Sequence, residues 1–341
     1  MSARRVVTAY AAPSATIGFS LVELLVSLFL MALLTGAVMA LYLDTRHHHL
    51  ITDQSARTQE NGRYAIALLS GELAMAGFYG AALPTDPLPE QSVGSDCNAG
   101  NWALSSANAL DHVNDYAGAA APVTSAGVSL DCLEPPAILA NTDLLVVKRT
   151  AAQPTVQGGI LTEDATASAV VSWFLRTSAG TAATWLQRST QAMADAQPHD
   201  PDHTYWKASA KIFFLRPYAV TPGDDIPALC AQMLAGDGMT ARCYVEGVEN
   251  MQVEFGIDMD GDNAVDLYRQ DPTAQQLKQS LTAQVHLLLR SVLPLPGHTD
   301  SLSYQLGSRL IQPRGDAYKR RVFSAMVRLR NSPASTLGYG D

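Results

Sequence analysis

The sequence predicts an α+β fold: one long N-terminal α-helix, its first half transmembrane, packed on an antiparallel β-sheet head. Three observations carry this reading. An apolar run fills Phe19–Leu43 with Glu23 as its one charge. No proline follows that run until Pro84. From about residue 143 onward, short β-branched and aromatic segments recur with no second long helical pattern between them. Strands without alternating helices argue for an antiparallel sheet rather than a doubly wound α/β fold.

The helix comes first. Its apolar run has 25 residues. At about 1.5 Å rise per residue it spans roughly 37 Å, enough to cross a bilayer core of about 30 Å. Arg4 and Arg5 precede it, so the positive-inside rule keeps the N-terminus cytoplasmic and exports the rest. A cleavable secretory signal fits poorly. Its apolar region is about 7–15 residues and small residues follow it, whereas here the small residues AYAAPSATIG (9–18) come before a longer run. A plain signal anchor explains everything except Glu23. A carboxylate in a spanning helix costs about 2.5–3.5 kcal/mol at the bilayer centre and less near its edge, so it needs a partner. Cleavage between Gly18 and Phe19 would create one. The new Phe19 ammonium would lie about 6 Å along the axis from Glu23 in the same helix, and Glu23 could equally reach the Phe19 amine of a neighbouring subunit.

Residues 44–80 continue the helical pattern as an amphipathic periplasmic half. Gly62, Gly71 and Gly77 each cost about 1 kcal/mol relative to Ala. Even so, Tyr64, Ala67, Leu68 and Gly71 share one face, with Ile66, Leu69 and Leu73 beside it. The helix is expected to run from Phe19 to about Ala76, near 87 Å at about 1.5 Å per residue. His47–His49 point in different directions on it and cannot all ligate one metal, so they read as a polar collar.

The rest, 81–341, reads as a globular β-rich head. Ala81–Pro136 is rich in Ala, Ser, Pro, Gly and Asn and is expected to form a long ordered loop region. Strand signals follow at 143–149, 169–177, 184–188, 211–220, 243–258, 265–270, 284–294 and 320–331. A formal net charge of −9 and no basic stripe argue against a nucleic-acid surface. The cysteines Cys97, Cys132, Cys230 and Cys243 form no C-x-x-C pair and no zinc spacing with histidine. Two disulfides in an oxidising compartment suit them. The sequence-local choice among three connectivities is Cys97–Cys132 and Cys230–Cys243, with four buried free thiols as the alternative.

One stretch has the pattern of a ligand loop, DMDGDNAVD (258–266). Asp258, Asp260, Asp262 and Asp266 occupy positions 1, 3, 5 and 9, with the Ala264 carbonyl at position 7, a hard-oxygen set that suits calcium. The match to an EF-hand loop is partial: Arg269 stands at position 12, the glycine is at position 4, and Asn263 holds position 6. The alternative is an acidic hairpin turn. No G-x-S-x-G, H-E-x-x-H or phosphate-cradling glycine loop occurs. Asp111-His112 and His199-Asp200 read as solvated surface pairs, so no enzyme is expected.

Gly18, Phe19 and Glu23 resemble the class III signal of type IV prepilins: a glycine, then phenylalanine, then an acid five residues into the mature chain. The resemblance implies a prepilin peptidase that cuts after Gly18 and methylates Phe19, a leader of residues 1–18, and a docking role for Glu23. This leader is longer than the short leaders of many major pilins. The segments QENGRYAIALLSGELAMAGFYG, LLLRS and RRVFSAMVRLRN resemble the PilW family of minor pilins and, more distantly, the J-type minor pseudopilins of type II secretion. The family implies a type IV pilin-like fold and a structural subunit that primes pilus assembly in a tip complex. The implied partners are other minor pilins, the major pilin and a PilY1-like adhesin. The implied location is the inner membrane with a periplasmic head, then the pilus of a Gram-negative bacterium. Two other functions stay open: a minor pseudopilin of a secretion pseudopilus, and a membrane-anchored, calcium-dependent binding module.

Overall fold

The computed structural model describes residues 18, 20–82, 88–97, 102–118, 123–125, 128–134, 137–163, 165–196, 198, 200–312 and 314–334. The chain divides into two units, Met1–Thr52 and Asp53–Asp341. One unbroken helix, α1 (Leu21–Met75), contributes to both. Ser20 caps it: its hydroxyl accepts from the Glu23 N–H at 3.1 Å and its carbonyl from the Leu24 N–H at 3.1 Å. The helix stops at Gly77, whose φ of 77° is the left-handed conformation that glycine adopts freely after a last turn.

In the first unit, every large apolar side chain from Leu21 to Leu43 is exposed. The hydroxyls of Ser27, Thr35 and Thr45 donate to the carbonyls of Leu24, Met31 and Leu41 on the preceding turn. They are therefore satisfied within the helix, as hydrocarbon surroundings require. By length and composition the helix is apolar enough to cross a membrane.

Among the described residues the second unit holds seventeen strands, named in chain order. They begin with β1 (Leu110–Val113), β2 (Thr124–Ser125), β3 (Val128–Ser129), β4 (Leu144–Thr150), β5 (Val156–Gln157), β6 (Ile160–Leu161), β7 (Val171–Ser178) and β8 (Thr181–Ser189). A short helix α2 (Thr190–Asp195) leads to β9 (Thr204–Arg216), β10 (Ala228–Ala235), β11 (Gly238–Glu246), β12 (Val248–Ile257) and β13 (Leu267–Arg269). After α3 (Ala274–Lys278) come β14 (Ser280–Arg290), β15 (Tyr304–Leu306), β16 (Arg309–Ile311) and β17 (Arg320–Arg328). The larger sheet runs β1-β4-β9-β10-β11, with β7–β8 and β5–β6 branching from β9. The smaller runs β13-β12-β14-β17. All named strand pairs are antiparallel.

One core joins both sheets to α1. Ala65, Leu69, Leu73 and Ala76 of the helix meet Leu145 and Val147 of β4, Phe213 and Leu215 of β9, Met251, Val253 and Phe255 of β12, and Val285 and Leu287 of β14. The buried stripe of α1 is Gln54, Thr58, Gly62, Ala65, Leu69, Glu72 and Leu73. This corrects the expected face: Tyr64, Ala67 and Gly71 are exposed. The reason is close approach. A Cβ on Gly62 would sit 2.4 Å from the Phe323 ring of β17, so the helix lies against that ring on its glycine side.

A second core fills the opposite face of the larger sheet. Leu144, Val146, Ile212, Phe214 and Cys230 alternate with the first set along their strands and meet Tyr79, Trp102, Tyr116, Leu130, Trp173 and Trp185. A sheet buried on both faces explains the continuous apolar run Leu144–Val147. The Ala81–Pro136 region is therefore more than a loop. It supplies β1 to the larger sheet and covers that sheet's back. Cys97 is bonded to Cys132 across this cover, and Cys230 to Cys243 across the β10–β11 ladder. Two expectations change in detail. The 243–258 strand divides at Gly247, where φ is 81° and the Arg290 carbonyl leaves no room for a side chain, giving β11 and β12. Asp111 and His112 lie on β1 and are buried rather than solvated; His112 donates through Nε2 to the fully buried Asp143 at 3.0 Å.

Candidate functional site

The structure places the sequence-derived site residues in two separate regions and adds a third set. At the start of α1, Gly18 is exposed, with open space around its Cα, and Glu23 is exposed in the first helical turn. Phe19, the other half of the expected cleavage site, lies outside the described residues. Glu23 is one acid in an exposed apolar helix from Leu21 to Leu43, and its position in the first turn suits a carboxylate at the positive end of the helix dipole.

The acidic loop follows β12. Asp258 is buried at 3% exposure, and both of its oxygens are used: Oδ1 accepts from the Gly261 N–H at 2.6 Å and Oδ2 from the Asn263 N–H at 2.9 Å. Gly261 and Asn263 both take positive φ, 84° and 63°, which lets the chain wind round that carboxylate. Asp260 accepts from the Asp262 N–H at 3.2 Å, and Asp262 from the Ala264 N–H at 2.8 Å. Asp258, Asp260 and Asp262 converge, with one oxygen from each lying within 4.8 Å of the others. Asp266 stands outside that group and closes the loop by accepting from the Met259 N–H at 2.7 Å.

Two ionic clusters were missed from sequence. Glu72, on the buried stripe of α1, accepts from Arg149 Nε at 2.8 Å and Nη2 at 3.0 Å, and from Lys211 Nζ at 2.5 Å. Burial pushes its carboxyl upward, but the hydrogen bonds and charges of Arg149, then Lys211, outweigh that and hold it below the usual carboxylate range. The pair thus pins α1 to β4 and β9. Arg320, at the start of β17, reaches Glu249 at 2.6 and 3.0 Å, Asp300 at 2.6 Å, and both oxygens of Asp316 at 2.6 Å. Hydrogen bonding to Arg320 is the main reason Asp316 is held down at about 2. Tyr304, desolvated and hydrogen-bonded to Asp300, is pushed up to about 12. These acids lie far apart in sequence, and no local spacing signals their convergence. Arg320 clips shut the excursion 291–319, which leaves β14 and returns to its neighbour β17.

Comparison with known proteins gives two findings. Residues 214–331, about a third of the chain from the end of β9 through β17, match the sequence family described as Type IV Pilus-assembly protein W. Among solved structures, the chain is similar to a type IV-like pilin from Thermus thermophilus at 12% identity and a TM-score of 0.35, over 82% of this chain and 96% of that one. A comparison with curated proteins finds none that matches.

Proposed function

We propose that this chain, whose residues 214–331 match the family described as Type IV Pilus-assembly protein W, is a PilW-family minor pilin, a structural subunit that primes pilus assembly at the tip. In this reading a prepilin peptidase cuts between Gly18 and Phe19 and methylates the new amine. The apolar half of α1 then anchors the subunit in the inner membrane, with the head in the periplasm of a Gram-negative cell. From there it joins other minor pilins, the major pilin and a PilY1-like adhesin. The observation that supports it most is the lone Glu23 in an exposed apolar helix, five residues after Gly18. Its cost in lipid, about 2.5–3.5 kcal/mol at the centre of the bilayer and less near the edge, is offset by pairing with a Phe19 ammonium on its own or a neighbouring chain. Fractionation and surface-pilus counts of Glu23→Ala test this. The variant stays in the membrane fraction while pili fall in number. Normal piliation, or a mature protein that still begins at Met1 by mass spectrometry, rules the mechanism out. Loss of exoprotein release with pili intact moves the role to a secretion pseudopilus.

For the acidic loop we propose a structural calcium ion. Three carboxylates this close repel one another without a cation, and hard oxygen donors suit calcium. Binding would stabilise the head by about 2.7 kcal/mol at a hundred times Kd. Calorimetric titration of the full-length chain in maltoside micelles should show saturable heat, absent in Asp260→Asn/Asp262→Asn. Equal heat in that variant, or none in the parent, leaves only an acidic turn.

A further inference from the structure

A polar cleft of about 430 Å³ lies between β16, the 139–141 turn and the loop joining β9 to β10. Three arginines line it: Arg290 at the end of β14, Arg309 on β16, and Arg314 just beyond β16. Leu288 and Ile311 also line it.

Arg290 is the anomaly. It is 7% exposed. Its guanidinium lies 3.9 Å from the Tyr318 ring centroid, and Nη2 donates to the Asp225 carbonyl, but Nε has no hydrogen-bond partner. Among the described residues no carboxylate stands within ion-pair distance of it. A guanidinium does not lose its proton in a protein, and buried charges are ordinarily matched by an opposite one. Two of the neighbouring acids bond to Arg320. Asp316, which feels the Arg290 charge, gives both oxygens to Arg320. Glu249 gives both oxygens to Arg320 and one also to Arg314 at 3.1 Å. Asp225 lines the cleft but offers Arg290 its carbonyl rather than its carboxylate. Arg309 meets Asp115, and Arg314 meets Glu249, each through Nη1. Three planar forks therefore share one cleft, and one of them has no carboxylate in direct ion-pair contact.

We propose that this cleft is an oxyanion site, in which a carboxylate or phosphate group gives Arg290 the direct ion-pair partner it lacks and takes further hydrogen bonds from Arg309 and Arg314. Arginine forks match the geometry of both groups. The oxyanion arrives either as a free small anion or as the acidic side chain of a neighbouring protein. Both sources are tested by calorimetry on the full-length protein in maltoside micelles at constant ionic strength. One titration uses sodium phosphate and the other N-acetylglutamate N-methylamide, a mimic of a protein carboxylate. Saturable heat with phosphate alone assigns a free anion; saturable heat with the glutamate mimic assigns a side chain. In either case affinity drops about tenfold or more in Arg290→Lys, which keeps the charge and loses the fork, and in the half-exposed Arg314→Gln. Unchanged melting temperature in Arg314→Gln shows that the loss is not unfolding. No saturable heat with either probe, or unaltered affinity in both variants, overturns the proposal.

Discussion

Replacing Glu72 by alanine should unfasten the second half of α1 from the head. The carboxylate is 6% exposed, and its two partners, Arg149 and Lys211, are themselves largely covered. Truncation deletes three charge-assisted hydrogen bonds and leaves two cations together with no anion between them. Removing one partner from a buried ion pair costs about 3–5 kcal/mol. A unit the size of the head loses about 2 °C of Tm per kcal/mol, so melting of the full-length protein at pH 7, followed by tryptophan fluorescence, should fall by about 6–10 °C. The pH dependence gives a second readout. The folded-state carboxyl lies below its ordinary value. Its contribution is therefore fully present above the unfolded pKa of about 4.3 and is lost as pH falls through the lower folded value. Glu72→Gln keeps the shape and removes the titration, so it should flatten that acid limb as well as lower Tm. A loss under about 1 kcal/mol in Glu72→Ala, or an acid limb unchanged in Glu72→Gln, refutes the claim that this ionic joint fastens the helix.

Two further predictions rest on packing and burial. Gly62→Ala should destabilise by about 1–3 kcal/mol, because the added methyl meets the Phe323 ring and overpacks the contact; Gly62→Ala/Phe323→Leu should recover most of it in urea unfolding, and a stabilised single variant would show that the ring yields freely. Lys148 is 3% exposed, 4.6 Å from the Trp102 ring centroid, and burial holds its amine down at about 8 against the raising fields of Asp111 and Asp96. Because that folded value lies below the unfolded one of about 10.4, the folded state binds the proton less tightly and gains stability as pH rises from 8 toward 10. Wild type should therefore gain on Lys148→Met by about 1–3 kcal/mol over that range, and a pH-independent difference would contradict a neutral buried amine.

The long helix and the antiparallel strands were legible because their signals are local. The apolar run Phe19–Leu43 declares itself by its length, and the alternation along β9, β14 and β17 by its period of two. The core-facing stripe of α1 was not, because Gln54, Thr58, Gly62 and Glu72 carry no hydrophobic signal; the Phe323 ring covers Gly62, two cations hold Glu72, and Gln54 accepts from the Leu293 N–H. The second core was also hidden. Trp102, Tyr116 and Leu130 are scattered without period in an Ala/Ser/Gly-rich stretch, and what gathers them is the back of the larger sheet. Strand β10 reads ALCAQMLA and lacks β-branched residues; pairing to β9 and β11 imposes its conformation. In the acidic loop the spacing located Asp258, Asp260 and Asp262 together. It did not show that Asp266 serves as a clasp on Met259, since that depends on how the chain turns at Gly261 and Asn263.

The excursion 291–319 departs and comes home on adjacent rungs, Arg290 opposite Arg320. Its neck is sealed by the Ser291 N–H to the Lys319 carbonyl at 2.8 Å. Residues added in the exposed run Ser301–Ser303, between Asp300 and β15, lengthen a side branch and displace no rung of the ladder beneath. Homologous proteins are therefore free to diverge in length there, and an epitope inserted in that run should be displayed without cost to the sheet.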